Sequence, residues 1–227
     1  MCFCREERSV ELCKLSYCDV VRPPRSAYLH IPFCHRRCFY CDFAIIPIGD
    51  QALKNNANNR SFIESYLRLL HQEISFCPTT SPLSTVYIGG GTPSLLEGEQ
   101  VESLLQHLQD KFGIQDGAEI TLEIDPSTFD QDKLDSYLYA GINRISLGGQ
   151  SFDSKILNQI GRRHTREELI EACHWLNIAY KSGLLRSWSL DLIQNLPDQS
   201  LTSWEDQLLQ AVESGANHFS IYDLSIE

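Results

Sequence analysis

Three cysteines fall within eight residues, in the segment Cys34-His35-Arg36-Arg37-Cys38-Phe39-Tyr40-Cys41, with C-x3-C-x2-C spacing. Thiolates at that density are metal ligands by type, since soft sulfur selects zinc or an iron–sulfur cluster. A closed structural zinc site takes four ligands, and a cubane cluster is normally held by four cysteines. Three cysteines with no obvious fourth would leave one iron open to an outside ligand. His30 and His35 flank the segment, and His35 reads either as a further ligand or as a solvent-facing loop residue.

Other residues suited to chemistry follow at intervals. Gly89-Gly90-Gly91-Thr92-Pro93 reads as a tight turn, or as a loop whose exposed amides hold a carboxylate or phosphate. It is not a P-loop, because no Gly-Lys-Ser/Thr follows. Glu123 closes an alternating run and suits a ribose hydroxyl pair, as the acidic residue of dinucleotide sites does. A solvated edge charge would satisfy the same period. Gln150, Arg162 and Asp191 are each ordinary alone, and the commoner fate of an arginine such as Arg162 is a surface ion pair.

The elements that must position these residues alternate. Ala27 to Phe33 reads as a strand running into the cysteine loop, and Ile45 to Asn59 as a polar loop. Phe62, Tyr66, Leu69, Leu70 and Ile74 recur at helical spacing, as do Leu96, Val101, Leu104, Leu105 and Leu108. Thr85 to Ile88 and Glu119 to Ile124 are β-prone runs, stopped by the glycines and by Asp125-Pro126. Then come a helix over Leu134–Ala140, a strand over Asn143–Leu147, a helical turn around Asp153–Ile160 and a helix over Arg166–Lys181. A strand over Trp188–Ile193, a helix over Ser203–Val212 and a strand over His218–Leu224 complete the series. Such alternation predicts an α/β fold with parallel strands and right-handed crossovers. Six strands make an open doubly wound sheet or an incomplete (β/α)6 barrel, and both gather chemistry at the carboxyl ends of their strands. The candidate residues stand at those ends.

Composition narrows the function classes. With 42% hydrophobic residues in 227, the chain can bury one substantial core. A net charge of −11 argues against a sequence-independent nucleic-acid partner. No run reaches the roughly 18 to 20 apolar residues of a membrane span, so membrane contact is expected only through a partner protein. Nine cysteines, an odd count, with no secretory signal, read as reduced thiols in a cytoplasmic setting, with a plastid as the alternative. Residues 1–25 read as a poorly ordered leader ahead of one domain over residues 26–227. Cys2, Cys4, Cys13 and Cys18 lack the C-x2-C spacing of a zinc site, and Glu6, Glu7, Glu11 and Asp19 argue against a transit peptide. The last strand runs almost to Glu227 with no helix to cover it, which is expected of a fragment.

Taken together the motifs resemble the radical S-adenosylmethionine (SAM) enzymes, and more narrowly the oxygen-independent coproporphyrinogen III oxidase group. The resemblance rests on Tyr28-Leu29-His30-Ile31-Pro32-Phe33-Cys34, Tyr40-Cys41-Asp42-Phe43, the glycine loop, Asn143-Arg144-Ile145-Ser146-Leu147-Gly148, Gln150-Ser151-Phe152-Asp153 and Gly161-Arg162-Arg163-His164. Ser189-Leu190-Asp191-Leu192-Ile193 and Ile221-Tyr222-Asp223-Leu224 extend it to the end of the chain. It implies an incomplete radical-SAM-type barrel that lacks the family's carboxy-terminal domain. It also implies a [4Fe–4S] cluster on Cys34, Cys38 and Cys41, with SAM on the open iron and its sulfonium cleaved by one electron to a 5′-deoxyadenosyl radical. Carried over by motif, Tyr28, Gly90, Gly91, Thr92, Glu123, Gln150, Arg162 and Asp191 would contact SAM.

Within the group, the oxidases carry a further cysteine two residues after the third, where this chain has Phe43. That favours the HemW-like branch of haem chaperones, so the expected partners are haem, a haem-accepting client and an electron donor. The alternative is an oxidase that decarboxylates a porphyrinogen. Whether the chain is an enzyme stays open, and if it is one, it is a coproporphyrinogen dehydrogenase-type oxidoreductase. His35-x-x-Cys38-x-Tyr40-Cys41 resembles that branch's proposed haem segment, with Arg36 where asparagine is usual. Gly149 stands where valine is common, Asn195 where glycine is, and Asp125-Pro126-Ser127 replaces a commoner Asn-Pro-Gly.

Overall fold

The computed structural model describes residues 24–49, 57–78, 81–196 and 198–224. The expected leader, save its last two residues, and the final Ile226-Glu227 lie outside the described residues.

Six strands form one parallel sheet in the order β1 (Ser26–Ile31), β4 (Leu83–Gly90), β5 (Ile114–Ile124), β6 (Arg144–Gln150), β7 (Ser187–Gln194) and β8 (His218–Asp223). Each strand after β1 adds beside its predecessor in this row, so the carboxyl ends lie along one rim, as the incomplete (β/α)6 barrel requires. Period two divides the faces. Leu29, Ile88, Leu122, Ile145 and Trp188 are register partners across five strands, and all are buried in the core. The alternate positions carry Tyr87, Glu123, Ser146 and Asp191 on the concave face.

The helices covering the sheet are α1 (Ala57–Phe76), α2 (Gly98–Phe112), α3 (Gln131–Tyr139), α4 (Ser154–Gln159), α5 (Arg166–Lys181) and α6 (Leu201–Glu213). Their ends follow local chemistry. Glu97 and Gln100 close a capping box on α2, and Thr165 and Glu168 close one on α5. Helix α2 then buries Val101, Leu104, Leu105 and Leu108 at i, i+3, i+4 and i+7. Asp130, Asp153 and Ser200 cap the first turns of α3, α4 and α6.

Two sequence expectations change around the cysteines. The first strand ends at Ile31, because Pro32 has no N–H to give the ladder. Phe33–Cys34 instead forms a separate strand, β2, paired in parallel with β3 (Ile46–Pro47) inside the stretch expected to be a polar loop. The Ile46 and Ile48 amides donate to Pro32 and Cys34 carbonyls at 2.7 and 2.8 Å. The glycines also belong to the strands themselves: β4 runs to Gly90, and β6 runs through Gly148-Gly149 to Gln150.

Candidate functional site

The rim of carboxyl ends encloses a cavity of about 430 Å³, lined by all three motif cysteines and by every other candidate residue except Tyr28. The cysteine loop forms one wall. Cys34 is buried and its sulfur accepts from the Thr92 hydroxyl at 3.3 Å, while Cys38 and Cys41 are half-buried. Burial pushes the Cys34 thiol up to about 11, and the Thr92 bond offsets part of that. A bound metal would hold it as thiolate regardless.

The glycine turn packs against this wall. Gly91 and Thr92 amides donate to the Ile31 and Phe33 carbonyls at 2.8 Å each. A Cβ on Gly91 would stand 2.7 Å from the Phe33 oxygen and 2.9 Å from both the Pro32 oxygen and Cys34 Sγ. Gly90 has φ of +125° and would meet His30 Nδ1 at 2.8 Å, so both positions demand glycine.

Glu123 is not a solvated edge charge. One oxygen accepts from the Tyr87 phenol at 2.7 Å and the other from the Gly90 amide at 3.0 Å, which ties β5 to the turn. Burial raises its pKa, against the pull of those two donors. Across the cavity, burial likewise raises Asp191, whose oxygens accept from Ser146 Oγ at 3.2 and 3.0 Å. Gln150 adopts φ of +64° where the β6–β7 register slips. A Cβ on Gly149 would stand 2.7 Å from Leu190 Cδ1, a side-chain tip that would have to shift to admit it.

Arg162 departs furthest from the surface ion pair that its sequence context suggests. Its buried Nη2 donates to Asp125 Oδ2 and to the Gly148 carbonyl, each at 2.6 Å, while Nη1 points at Cys38 Sγ at 3.9 Å. Burial alone would raise Asp125, but Arg162, His164 and Ser127 together hold its carboxyl below the usual range. Asp125, a strand breaker by sequence, joins the candidate site: it lines the cavity and pairs with Arg162. A carboxylate directly after a strand end was the available signal.

Tyr28 is outside the lining and exposed, opposite Tyr87 in the ladder and stacked on its ring at 6.0 Å between centroids. His30 Nε2 faces the Ala44 carbonyl at 3.0 Å and so donates, which leaves Nδ1 to accept from the Tyr28 phenol at 3.0 Å. His35 Nδ1 donates in the same way to the Gly49 carbonyl at 2.9 Å, leaving Nε2 as the nitrogen with a lone pair. Phe39 and Phe43 stand 82% and 59% exposed beside the cavity.

His164 gives the site a pH dependence. It is buried, Nε2 donates to the Gly149 carbonyl at 3.1 Å, and burial and the Arg162 charge push its pKa down to about 4. A folded value below the ordinary 6.5 means that its contribution is complete above pH 6.5 and is lost as pH falls toward 4, by about 3 kcal/mol in all. Glu123 and Asp191, both raised, act with the opposite sign. Urea denaturation of wild type and His164→Gln should therefore differ in slope between pH 6.5 and 4, the variant losing less stability. Parallel profiles would contradict the assignment.

Chemically, the rim offers three thiols bordering one cavity, a backbone cradle, and fixed carboxylates opposite. In a cubane each thiolate holds a different iron, so the sulfurs need to border a shared space and need not meet at a point. The donor set fits such a cluster. A six-stranded parallel α/β sheet with this rim defines a class, the partial barrels that carry their chemistry at strand ends. The family follows from comparison: the model of the Radical SAM superfamily matches residues 28–206, and the chain belongs to that superfamily. Its cofactors across the family are a [4Fe–4S] cluster and SAM. Among curated proteins, the chain is 42% identical over 208 residues to the haem chaperone HemW of Synechocystis, covering 90% of this chain and 48% of that protein. The Escherichia coli haem chaperone HemW is 39% identical, with 90% and 52% covered. The chain thus spans about half the length of the curated relatives it matches. Among solved structures, the coproporphyrinogen III oxidase HemN of Escherichia coli superposes with a TM-score of 0.78 at 27% identity, covering 97% of this chain and 48% of that one. Among the described residues, no helix is long and apolar enough to cross a membrane.

Proposed function

We propose that residues 26–227 form the radical SAM core of a haem chaperone, which binds haem and passes it to a client protein in the cytoplasm or a plastid. In this reading Cys34, Cys38 and Cys41 hold the cluster, and SAM occupies the cavity. A cluster held there would supply one-electron reduction of a sulfonium, with the electron coming from a separate donor. The chain's own residues bind and orient. Gly90, Gly91 and Thr92 present a close backbone surface to the methionine end, and Glu123 takes the ribose hydroxyls. Gln150, Arg162 and Asp191 line the same cavity, and the exposed Tyr28 phenol, which donates to His30, adds a SAM contact from β1.

The observation that carries the chaperone reading is the half-exposed phenyl of Phe43 at the cavity wall, where the oxidases have sulfur. His35, oriented by Gly49 with Nε2 unprotonated, suits an axial haem ligand on the same loop. The second reading, a coproporphyrinogen III oxidase, is favoured by the superposition on the oxidase HemN. Anaerobic haem titration of the full-length protein, followed by transfer to an apo-client, separates the two. Stoichiometric haem binding with transfer is expected. Absence of haem binding, with protoporphyrinogen formed from coproporphyrinogen III and SAM, would replace the chaperone by the oxidase.

A further inference from the structure

Arg162 sits between the cysteine loop and the strand ends with a carboxylate bound to it. Its guanidinium has three neighbours: Asp125 Oδ2 at 2.6 Å, the Gly148 carbonyl at 2.6 Å and, at the outer limit for sulfur, Cys38 Sγ at 3.9 Å. The side chain is 11% exposed and that of Asp125 17%, so solvent screens the group of charges weakly. Asp125 is itself held: Ser127 donates to its other oxygen from the amide at 2.9 Å and from the hydroxyl at 2.8 Å. Asp125 therefore has one conformation available, and it fixes where the guanidinium points.

We infer that Asp125 and Arg162 set the reduction potential of the cluster held by Cys34, Cys38 and Cys41 in opposite senses, the carboxylate offsetting the field of the guanidinium paired with it. The inference rests on the cluster reading above. Reduction adds one electron, and so one negative charge, to the cluster, with no bond made or broken in the protein; the electron comes from an external one-electron reductant. Potentials of such clusters depend on net charge and on hydrogen bonds to sulfur. A guanidinium against Cys38 Sγ stabilises the more negative, reduced form, and in a poorly solvated site its field is felt strongly. The Asp125 carboxylate, bound to the same guanidinium, offsets part of that field. The two charges thus pull the potential in opposite directions, which no purely structural role for either residue would do.

The test uses the full-length protein, purified anaerobically, as wild type, Asp125→Asn, Arg162→Gln and the double variant. Iron and sulfide content is measured first. The potential is then followed by electron paramagnetic resonance during titration with dithionite and mediators. Asparagine keeps the shape of Asp125 and one of its two acceptor oxygens, so it removes the charge together with one acceptor contact, to Ser127 or to Arg162. At a fixed poise, Asp125→Asn is expected to raise the ratio of reduced to oxidised cluster about tenfold, equivalent to about +59 mV for one electron. Arg162→Gln is expected to lower that ratio by a similar factor, and the double variant to return close to wild type. Variants that load iron normally but leave the ratio unchanged, or move it in the same direction, would overturn the inference and spare the cluster. If Arg162→Gln fails to load, Asp125→Asn decides alone, and an unchanged potential overturns the inference. A wild-type protein without iron and sulfide would instead remove the cluster reading, and the inference with it.

Discussion

Cys38→Ala protein, purified without oxygen, is expected to carry almost no iron or sulfide and to lose the broad visible absorbance of a cluster. Three protein thiolates are the minimum support in a site that leaves one iron for an outside ligand, and two hold a cube poorly. The geometry gives the substitution little else to disturb. Cys38 is half-buried on a loop whose backbone is secured on both sides, by the Phe39 amide to Ile160 and by the Cys41 amide to the Cys38 carbonyl, at 3.0 and 3.1 Å. The fold should therefore survive, with its far-ultraviolet circular dichroism unchanged. Cys77 supplies the control: it is exposed just past the end of α1 and does not line the cavity, so Cys77→Ala should keep full iron content. Wild-type loading in Cys38→Ala would contradict the ligand assignment.

The second large effect is expected at Gly91. Two of the three atoms that an added Cβ would meet are backbone oxygens, those of Phe33 and Pro32 at 2.7 and 2.9 Å, and these cannot turn aside as a side-chain tip can. The third is Cys34 Sγ, also at 2.9 Å. Gly91→Ala must therefore spread the end of β4 from the cysteine loop, at a cost of about 1–3 kcal/mol in stability by the general penalty for overpacking. The same movement displaces the backbone of the turn relative to Cys34, so SAM affinity of the cluster-loaded full-length protein should fall at least about tenfold, the equivalent of about 1.4 kcal/mol. Gly183→Ala is the comparison. That glycine has φ of +77° but nothing within 4 Å of an added Cβ, so the change should cost backbone strain of about 1–2 kcal/mol and leave SAM binding untouched. Denaturation and equilibrium dialysis of the two variants check both statements. Unaltered SAM affinity in Gly91→Ala would sink the role of the turn.

What could be read from residues alone depended on how local the determinant was. Helix α2 is legible because its cap and its buried stripe lie within one stretch, Glu97 to Leu108. Parallel pairing follows from alternation, which leaves the strand order open between a doubly wound sheet and a partial barrel, and the candidate residues gather because parallel strands present their carboxyl ends together. β2 and β3 were not legible, since two residues carry no period and their pairing joins Phe33 to Ile46 across the cysteine loop. Glu123 was ambiguous by period and is settled by Tyr87 and Gly90 on the neighbouring strand. Arg162 and Asp125 are 37 positions apart, and each looks ordinary until the fold brings them to 2.6 Å. Tyr28 shares a motif with Cys34, yet lies outside the cavity lining, on β1 beside Tyr87, six residues before that cysteine.

The most direct measurement is the iron and acid-labile sulfide content of the full-length wild-type protein, isolated anaerobically. The account predicts about four of each per chain, held by Cys34, Cys38 and Cys41 with one iron left for SAM. A single zinc per chain without sulfide, or no metal at all, would contradict it.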